Sequence, residues 1–227
     1  VARPRLLGGD FAVSEELGRG GMGVVYHAWQ LSRDRPVVIK IPHQVAGETE
    51  DWEQFLLKEG KYLSRLESRH VVRCHGVGRD ADSGQVFLAL EFIDGVSLQE
   101  VLDGSGPLSV ADAAEVARQA CLGLADAHAL DPPLIHCDLK PSNLMIDHEG
   151  CVKVLDFGIA RKVQAARLAR RRLEQRGRGG EEVGDTRKAG LGSRGFTPPE
   201  RLDPPDQVRA ETDVYGLGAT LHALLAG

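Results

Sequence analysis

Residues that favour strands dominate the early part of the chain, and apolar residues at helical spacing dominate the later part. The predicted strands cover 11–18, 23–30, 36–41, 71–77 and 85–93. The predicted helices cover about 51–66, Ser97 to Asp103, Ser109 to about Leu130, and 212–226. Between the last two helices lies a stretch of short apolar segments and polar loops, 136–158, in which reactive side chains are concentrated.

This stretch places four polar side chains close together in the sequence. Asp138, Lys140 and Asn143 share one tight loop, and Asp156 ends the short strand that follows. Phosphoryl transfer needs a carboxylate to orient a hydroxyl, a cation for the moving charge and oxygen ligands for Mg²⁺. The loop offers all three. A polar turn between strands would explain the Pro141–Ser142 pair, but it would not explain this set of functional groups.

Three glycines, Gly18, Gly20 and Gly23, form a G-x-G-x-x-G pattern between two predicted strands. A dinucleotide-binding version of this pattern should open a helix after the third glycine. Residues 24–26 are strand formers instead, so the pattern favours a hairpin whose backbone lies close to phosphates. A flexible hairpin without a ligand is the alternative, because glycine clusters occur in many hairpins.

The motifs H-C-D-L-K-P-S-N and D-F-G, taken together with the hairpin, resemble those of eukaryotic-type Ser/Thr protein kinases, the bacterial ones especially. Lys140 and the segment T-P-P-E favour this group over tyrosine kinases and small-molecule kinases. The resemblance implies an α+β, two-lobed fold, with a small antiparallel-sheet lobe that has one helix and a mainly helical lobe that is incomplete here. We expect the lobes at 1–93 and 94–227.

The resemblance also implies catalytic roles for individual residues. Asp138 would accept or orient the proton of the substrate hydroxyl, and Lys140 would offset charge on the γ-phosphoryl group. Asn143 and Asp156 would hold Mg²⁺. Two further catalytic residues are expected in the first lobe. Lys40 matches the lysine that holds the α- and β-phosphates of ATP, and Glu59 stands by position where its acidic partner would be.

The resemblance implies an ATP site built largely from backbone and apolar groups. The backbone of Glu91 and Ile93 would meet the adenine edge, and Leu90 would control the rear of the pocket. Taken singly, such apolar residues are more often plain core. The full set expected at the nucleotide is Gly18, Gly20, Gly23, Val25, Val38, Lys40, Leu90, Glu91, Ile93 and Met145.

One residue departs from the family pattern: Cys137 stands where most kinases have an arginine that binds a phosphorylated residue of the activation loop. A thiol cannot form such a charge-assisted pair, so we predict that activity does not require a phosphate bound there. The activation segment is expected at 156–200, with an Arg-rich insertion at about 163–190. A solvated loop is the favoured interpretation of the insertion, and a basic docking or regulatory segment is the alternative.

Two residues outside the motifs complete the predicted lobe. Asp213 would anchor the backbone of the catalytic loop, as the resemblance implies. His128, near the end of the long helix, is interpreted as a structural residue that forms a hydrogen bond there.

Composition and charge limit the other classes of function. Of the 227 residues 42% are hydrophobic and 27% charged, which is ordinary for a soluble domain. A net charge of −5 does not suggest nucleic acid as a partner. The four scattered cysteines argue against a zinc site or disulfide framework and suit a reducing compartment. No apolar run approaches the roughly 20 residues of a membrane span.

The leading hypothesis is a Ser/Thr protein kinase that uses ATP and Mg²⁺ on protein substrates, itself included. The alternative is a pseudokinase, a nucleotide-binding scaffold or interaction module, which loss of Lys40, Asp138 or Asp156 would have favoured. We expect a cytoplasmic location, alone or as the cytosolic domain of a membrane-anchored parent. The missing initiator Met and the apolar last helix lead us to expect a piece of a longer protein, truncated after the central helix of the large lobe, which is inactive or poorly soluble by itself.

Overall fold

The computed structural model describes residues 5–20, 23–42, 57, 60–157, 195–196, 198 and 209–227. The backbone contacts divide the chain into two compact units, Val1–Asp94 and Gly95–Gly227. The predicted lobe boundary, after residue 93, lies next to this division.

The first unit contains a six-stranded antiparallel sheet with the strand order β1-β2-β3-β4-β6-β5. The five predicted strands are all present with shifted ends, and β1 is an addition. A single 3₁₀ turn, Leu31–Arg33, connects β3 to β4. The strands are β1 Arg5–Leu7, β2 Phe11–Gly20, β3 Gly23–Gln30, β4 Arg35–Ile41, β5 Cys74–Arg79 and β6 Val86–Glu91.

The two faces of this sheet differ in character. Strand β4 alternates, with Val37, Ile39 and Ile41 buried and the residues between them half-buried. The buried set packs with Leu7 and Phe87 in one hydrophobic core. Each fully buried side chain of this size stabilises the fold by about 1.5–3 kcal/mol. The opposite face carries Lys40 among apolar side chains, Val38 and the buried Leu88 and Leu90.

In the part of the second unit that the structure describes, a small antiparallel sheet in the order β7-β8-β9 is accompanied by three α-helices. Helix α2 packs against β9 and α3. Among the described residues, no helix is both long and apolar enough to cross a membrane. The elements are β7 Gly95–Ser97, α1 Leu98–Ser105, α2 Val110–His128, β8 Leu144–Asp147, β9 Val152–Val154 and α3 Ala210–Ala226.

Serine caps explain where the two central helices begin. The Ser97 hydroxyl accepts from the Glu100 backbone N–H (3.2 Å), and Glu100 Oε2 accepts from the Ser97 N–H (2.7 Å), which together form a capping box. Ser109 Oγ accepts from the Asp112 N–H at 3.1 Å, so the predicted N-cap of α2 is confirmed. Of the helix predicted at 51–66, residues 57 and 60–63 are helical, and most of the remainder lies outside the described residues.

Candidate active site

Asp213, in the first turn of α3, holds the loop that precedes Asp138. Its Oδ2 accepts from the His136 backbone N–H at 2.8 Å, and its Oδ1 accepts from the Cys137 N–H at 2.7 Å. His128 Nε2 lies 2.8 Å from Asp213 Oδ2; because an ionised carboxylate only accepts, this nitrogen carries the hydrogen. The predicted anchoring role of Asp213 and the structural hydrogen bond of His128 are confirmed.

Cys137 turns the backbone sharply between these anchors. It has a φ of 68°, in the left-handed region that residues other than glycine rarely adopt, and it is 6% exposed. The hydrogen bonds from the His136 and Cys137 N–H groups to Asp213 hold the backbone where it enters this turn. The direction in which Asp138 leaves the turn therefore depends on Asp213.

His136 connects the catalytic loop to the strand that ends at Asp156. The ring is fully buried, and its Nδ1 accepts from the Asp138 N–H at 3.1 Å. Nε2 must then carry the hydrogen, which it donates to the Leu155 carbonyl at 2.6 Å. Burial lowers the pKa of His136, in agreement with this neutral form. No role of its own was predicted for His136, although this residue opens the H-x-D motif.

Asn143 lies at the end of the 3₁₀ turn Pro141–Asn143 and faces back into the loop. Its Nδ2 donates to the Asp138 carbonyl at 2.7 Å, so the amide oxygen points the other way. The Asn143 carbonyl accepts from the Leu155 N–H at 2.9 Å, an extension of the β8–β9 ladder. This ladder brings Asn143 beside the residue that precedes Asp156.

The reactive groups of the second unit are thus held in one network. The Asp138 side chain is 1% exposed, and its Oδ2 lies 3.5 Å from Lys140 Nζ. Asp156 is half-buried with a φ of 51°, which aspartate tolerates better than most residues. A buried carboxylate beside an amine can orient a hydroxyl, and the Asn143 and Asp156 side chains carry oxygen atoms of the kind that Mg²⁺ prefers.

The first unit gathers its expected site residues on one sheet face. Lys40 is paired with Val25 on one side and Leu88 on the other, and Val38 is paired with Leu90. Directly paired residues share a face, so these side chains lie opposite the hydrophobic core. Glu59 lies outside the described residues.

The glycine pattern forms a β2–β3 hairpin, with Gly20 opposite Gly23 and Gly18 opposite Val25. The prediction of a hairpin is confirmed, since β3 follows the third glycine and no helix opens there. The three glycines differ, however. A Cβ at Gly18 or Gly20 would meet no atom within 4 Å, whereas a Cβ at Gly23 (φ 142°) would overlap the Ile41 backbone carbonyl. Gly23 is therefore required by the sheet itself.

Hydrogen bonds with Arg73 already engage the backbone N–H and the side chain of Glu91, at the end of β6. The Glu91 N–H donates to the Arg73 carbonyl at 2.8 Å, and Glu91 Oε2 accepts from the Arg73 N–H at 3.0 Å. A contact between this backbone and an adenine edge would thus use the Glu91 carbonyl. Ile93 is 9% exposed. Met145 belongs to the second unit, where β8 pairs it with Ser97 and Lys153.

Residues 11–227 match the family described as "Protein kinase domain". The chain belongs to this protein kinase family. Over 98% of its length, the chain is 29% identical to the serine/threonine-protein kinase PknA of Corynebacterium glutamicum. Over the same share of its length it is 31% identical to the serine/threonine-protein kinase PknL of Mycobacterium tuberculosis. It spans 44% and 50% of those two relatives.

A solved structure supports the same fold. The crystal structure of the Mycobacterium tuberculosis PknI kinase domain aligns with a TM-score of 0.69 at 20% identity. The alignment covers 99% of this chain and 75% of that one. The predicted protein-kinase fold, with an antiparallel-sheet lobe and a helical lobe, is confirmed.

Proposed function

We propose that this chain is the catalytic domain of a Ser/Thr protein kinase, which transfers the γ-phosphoryl group of Mg-ATP to a protein hydroxyl. The observation that supports this most strongly is the hydrogen-bonded loop from Asp138 to Asn143, joined by the β8–β9 ladder to the residue before Asp156. The names of the relatives support the substrate class, since PknA and PknL are serine/threonine-protein kinases.

The loop has the groups that the reaction requires of the protein. The Asp138 carboxylate, buried beside Lys140, would orient the substrate hydroxyl and accept its proton. Lys140 would stabilise the negative charge that moves with the phosphoryl group, an electrostatic role that does not require proton transfer. The His136 and Asn143 hydrogen bonds fix the backbone N–H and carbonyl of Asp138, from which its side chain extends.

The donor set fits Mg-ATP. Mg²⁺ binds few protein carboxylates together with phosphates and water, so two ligands, the Asn143 amide oxygen and the Asp156 carboxylate, suffice. No cluster of three or more His, Cys, Asp or Glu side chains suited to a metal occurs within the described ranges. When bound, Mg-ATP supplies the phosphoryl group and neutralises part of its charge.

The residues proposed to contact the nucleotide are those that the family resemblance implies, Met145 among them. Lys40 would contact the phosphates, with Glu59 as its acidic partner, and the open space above Gly18 and Gly20 would admit them. The apolar face that includes Val38 would cover the base. The remaining contacts would come from Gly23, Val25, Leu90, Glu91 and Ile93.

Phosphate transfer by the full-length protein that contains this chain tests the proposal. Labelled ATP and peptides with a single Ser, Thr or Tyr are the substrates. We expect Ser and Thr peptides to be labelled, and Asp138→Asn to lower kcat by at least about 100-fold with ATP affinity retained. Asp126→Asn, at an exposed position on α2, is the matched control. ATP binding without transfer by the wild type would support the scaffold alternative, and no ATP binding would contradict both.

A further inference from the structure

A histidine lies on the sheet face that carries Lys40, beside a residue expected to cover the base. His27 of β3 is directly paired with Val38 of β4, and Val38 is paired in turn with Leu90 of β6. Directly paired residues share a face, so His27, Val38 and Leu90 form one row across three strands. His27 is half-buried, and it is not among the residues that the family resemblance places at the nucleotide.

The Ser14 hydroxyl orients the His27 ring. Ser14 lies in an irregularity of β2, where two residues between Val13 and Glu16 face the single residue His27 of β3. Its Oγ donates to the His27 carbonyl at 3.0 Å and lies 2.9 Å from Nδ1 of the same residue. Because a hydroxyl has one hydrogen, Nδ1 is the donor in the second contact. Two hydrogen bonds with one partner therefore hold the ring in a single orientation.

The oriented ring meets Phe92, the first residue after β6. The two ring centroids are 5.1 Å apart and the ring planes are inclined by 84°, which is the edge-to-face arrangement that aromatic pairs prefer. The pairing of β6 with β4 ends at Glu91, opposite Val37. Residues 92–94 therefore lie beyond the backbone ladder, and the ring contact connects them to β3.

We propose that His27 is a positioning residue for the nucleotide: its ring holds Phe92 and thereby fixes the backbone on either side of it, at Glu91 and Ile93. This role rests on the proposed function, in which those two backbones meet the adenine edge. Loss of the ring lets residues 92–94 move relative to β3, and ATP must then order them when it binds, which weakens binding. The groups proposed to transfer the phosphoryl group are untouched, so affinity for ATP falls while turnover does not.

Three substitutions in the full-length protein that contains this chain separate the ring from its hydrogen bond. His27→Leu removes both, His27→Phe keeps an aromatic ring, and Ser14→Ala, at an exposed site, removes only the partner that orients the ring. We expect His27→Leu to raise the Kd of a fluorescent ATP analogue and the KM for ATP by about three- to ten-fold, with kcat within about two-fold. His27→Phe should recover most of this loss, and Ser14→Ala should reproduce part of it. His222→Leu, the same change at an exposed histidine of α3, is the control and should alter neither constant.

Two further measurements test whether His27 acts through Phe92. In a Phe92→Leu background the effect of His27→Leu on the Kd should largely vanish, since residues in contact are not additive. Amide hydrogen exchange at residues 92–94, measured without nucleotide, gives a readout that does not depend on ATP. His27→Leu should speed this exchange, and His27→Phe should restore protection.

The outcomes separate the positioning role from the proposed function. An unchanged Kd in His27→Leu, a loss mainly in kcat, additive effects with Phe92→Leu, or unchanged exchange at residues 92–94 would overturn the role of His27. Absence of ATP binding by the wild type would refute the proposed function, and His27 would then have no nucleotide to position. The exchange experiment would still decide whether its ring holds Phe92.

Discussion

At the scale of single residues, the least ordinary position is Cys137, whose backbone is strained in the middle of the catalytic loop. A non-glycine residue in this conformation costs on the order of 1–3 kcal/mol. The N–H groups of His136 and of Cys137 itself donate to the buried Asp213 carboxylate, and each hydrogen bond to a charged group contributes about 1.5–3 kcal/mol. The two bonds together outweigh the strain, so the turn persists because Asp213 lies beneath it.

Removal of Asp213 should therefore be costly. We predict that Asp213→Ala lowers the free energy of unfolding by about 3 kcal/mol or more, because it leaves two buried amides and the His128 donor without their acceptor. Urea denaturation measures the loss. Asp126→Ala, at an exposed site on α2, should change stability by less than about 0.5 kcal/mol. A loss below about 1 kcal/mol for Asp213→Ala would show that the loop does not depend on this anchor.

The side chain at position 137 has its own consequence for regulation. The thiol is 6% exposed and lies 3.7 Å from the Ile135 carbonyl, and it has no positive charge with which to hold a phosphate. We predict that phosphatase treatment of the full-length protein changes its kinase activity by less than about two-fold. Mass spectrometry before and after treatment verifies that phosphate was removed. A large loss of activity in a sample shown to have lost phosphate would contradict the prediction.

Site residues could be predicted from the sequence when a motif combined several functional groups. A residue that acts through one contact with a distant residue could not be predicted in this way. The H-x-D and D-F-G patterns predicted Asp138, Asn143 and Asp156 as neighbours in the fold, and the β8–β9 ladder brings these segments together. The bond from His136 to the Leu155 carbonyl was not predictable, because nothing in either residue type indicates the other.

At the scale of elements, the β2–β3 hairpin separates two reasons for a glycine. A Cβ at Gly23 would overlap the Ile41 carbonyl, so the requirement comes from β4. At Gly20 a Cβ would point into open space, so the fold does not require glycine there. The requirement at Gly20, if the proposed function holds, comes from the nucleotide.

Two alanine substitutions in this hairpin should therefore differ in their effects on stability and on the KM for ATP. We predict that Gly23→Ala lowers stability by about 2 kcal/mol or more, through overlap and its φ of 142°. Gly20→Ala should change stability by less than about 1 kcal/mol and raise the KM for ATP several-fold. Thermal unfolding and steady-state kinetics on both variants provide the comparison. Equal loss of stability in the two variants would show that the glycines serve one common purpose.

Helix α2 shows why periodicity predicts an element better than its contacts. Gln119 lies on the buried face, where the pattern alone would place an apolar residue. Its Oε1 accepts from the Val152 N–H at 2.8 Å, and its Nε2 donates to the Gly150 carbonyl at 3.1 Å, so it ties α2 to the turn before β9. The helix could be predicted from its apolar spacing and its Ser109 cap, but this bond depends on a segment about thirty residues away.

At the scale of the whole molecule, the order of strands and helices along the chain was predictable, because each element has its own local pattern. The way the strands assemble was available only through the family resemblance. The additional strand β1, three residues long, is too short for periodicity to reveal. Its pairing with β2 is a tertiary contact.

A property of the whole molecule that follows from both units is the pH dependence of stability. Burial lowers the pKa of His136 in the second unit, and burial, together with Arg35, lowers that of His75 in the first. In the unfolded chain both take up a proton near pH 6.5. Below that pH the unfolded state binds more protons than the folded state, so the stabilisation that is fully present above about pH 6.5 is lost as the pH falls.

We predict that the free energy of unfolding falls between pH 7.5 and pH 5.5, with a slope of up to about 1.4 kcal/mol per pH unit from His136. Carboxylates with lowered pKa act in another window. Hydrogen bonds from Ser32 to Asp10, from Ser83 to Asp80 and from Ser97 to Glu100 lower the pKa values of these carboxylates, so their contribution to stability is lost only as the pH falls below about 4.

Urea denaturation at several pH values separates the two windows. His75→Gln should flatten part of the upper slope and His136→Asn most of it, even though the latter also lowers stability at pH 7.5. Stability that is constant or rises on acidification from pH 7.5 to 5.5 would mean that neither ring is held neutral by its burial.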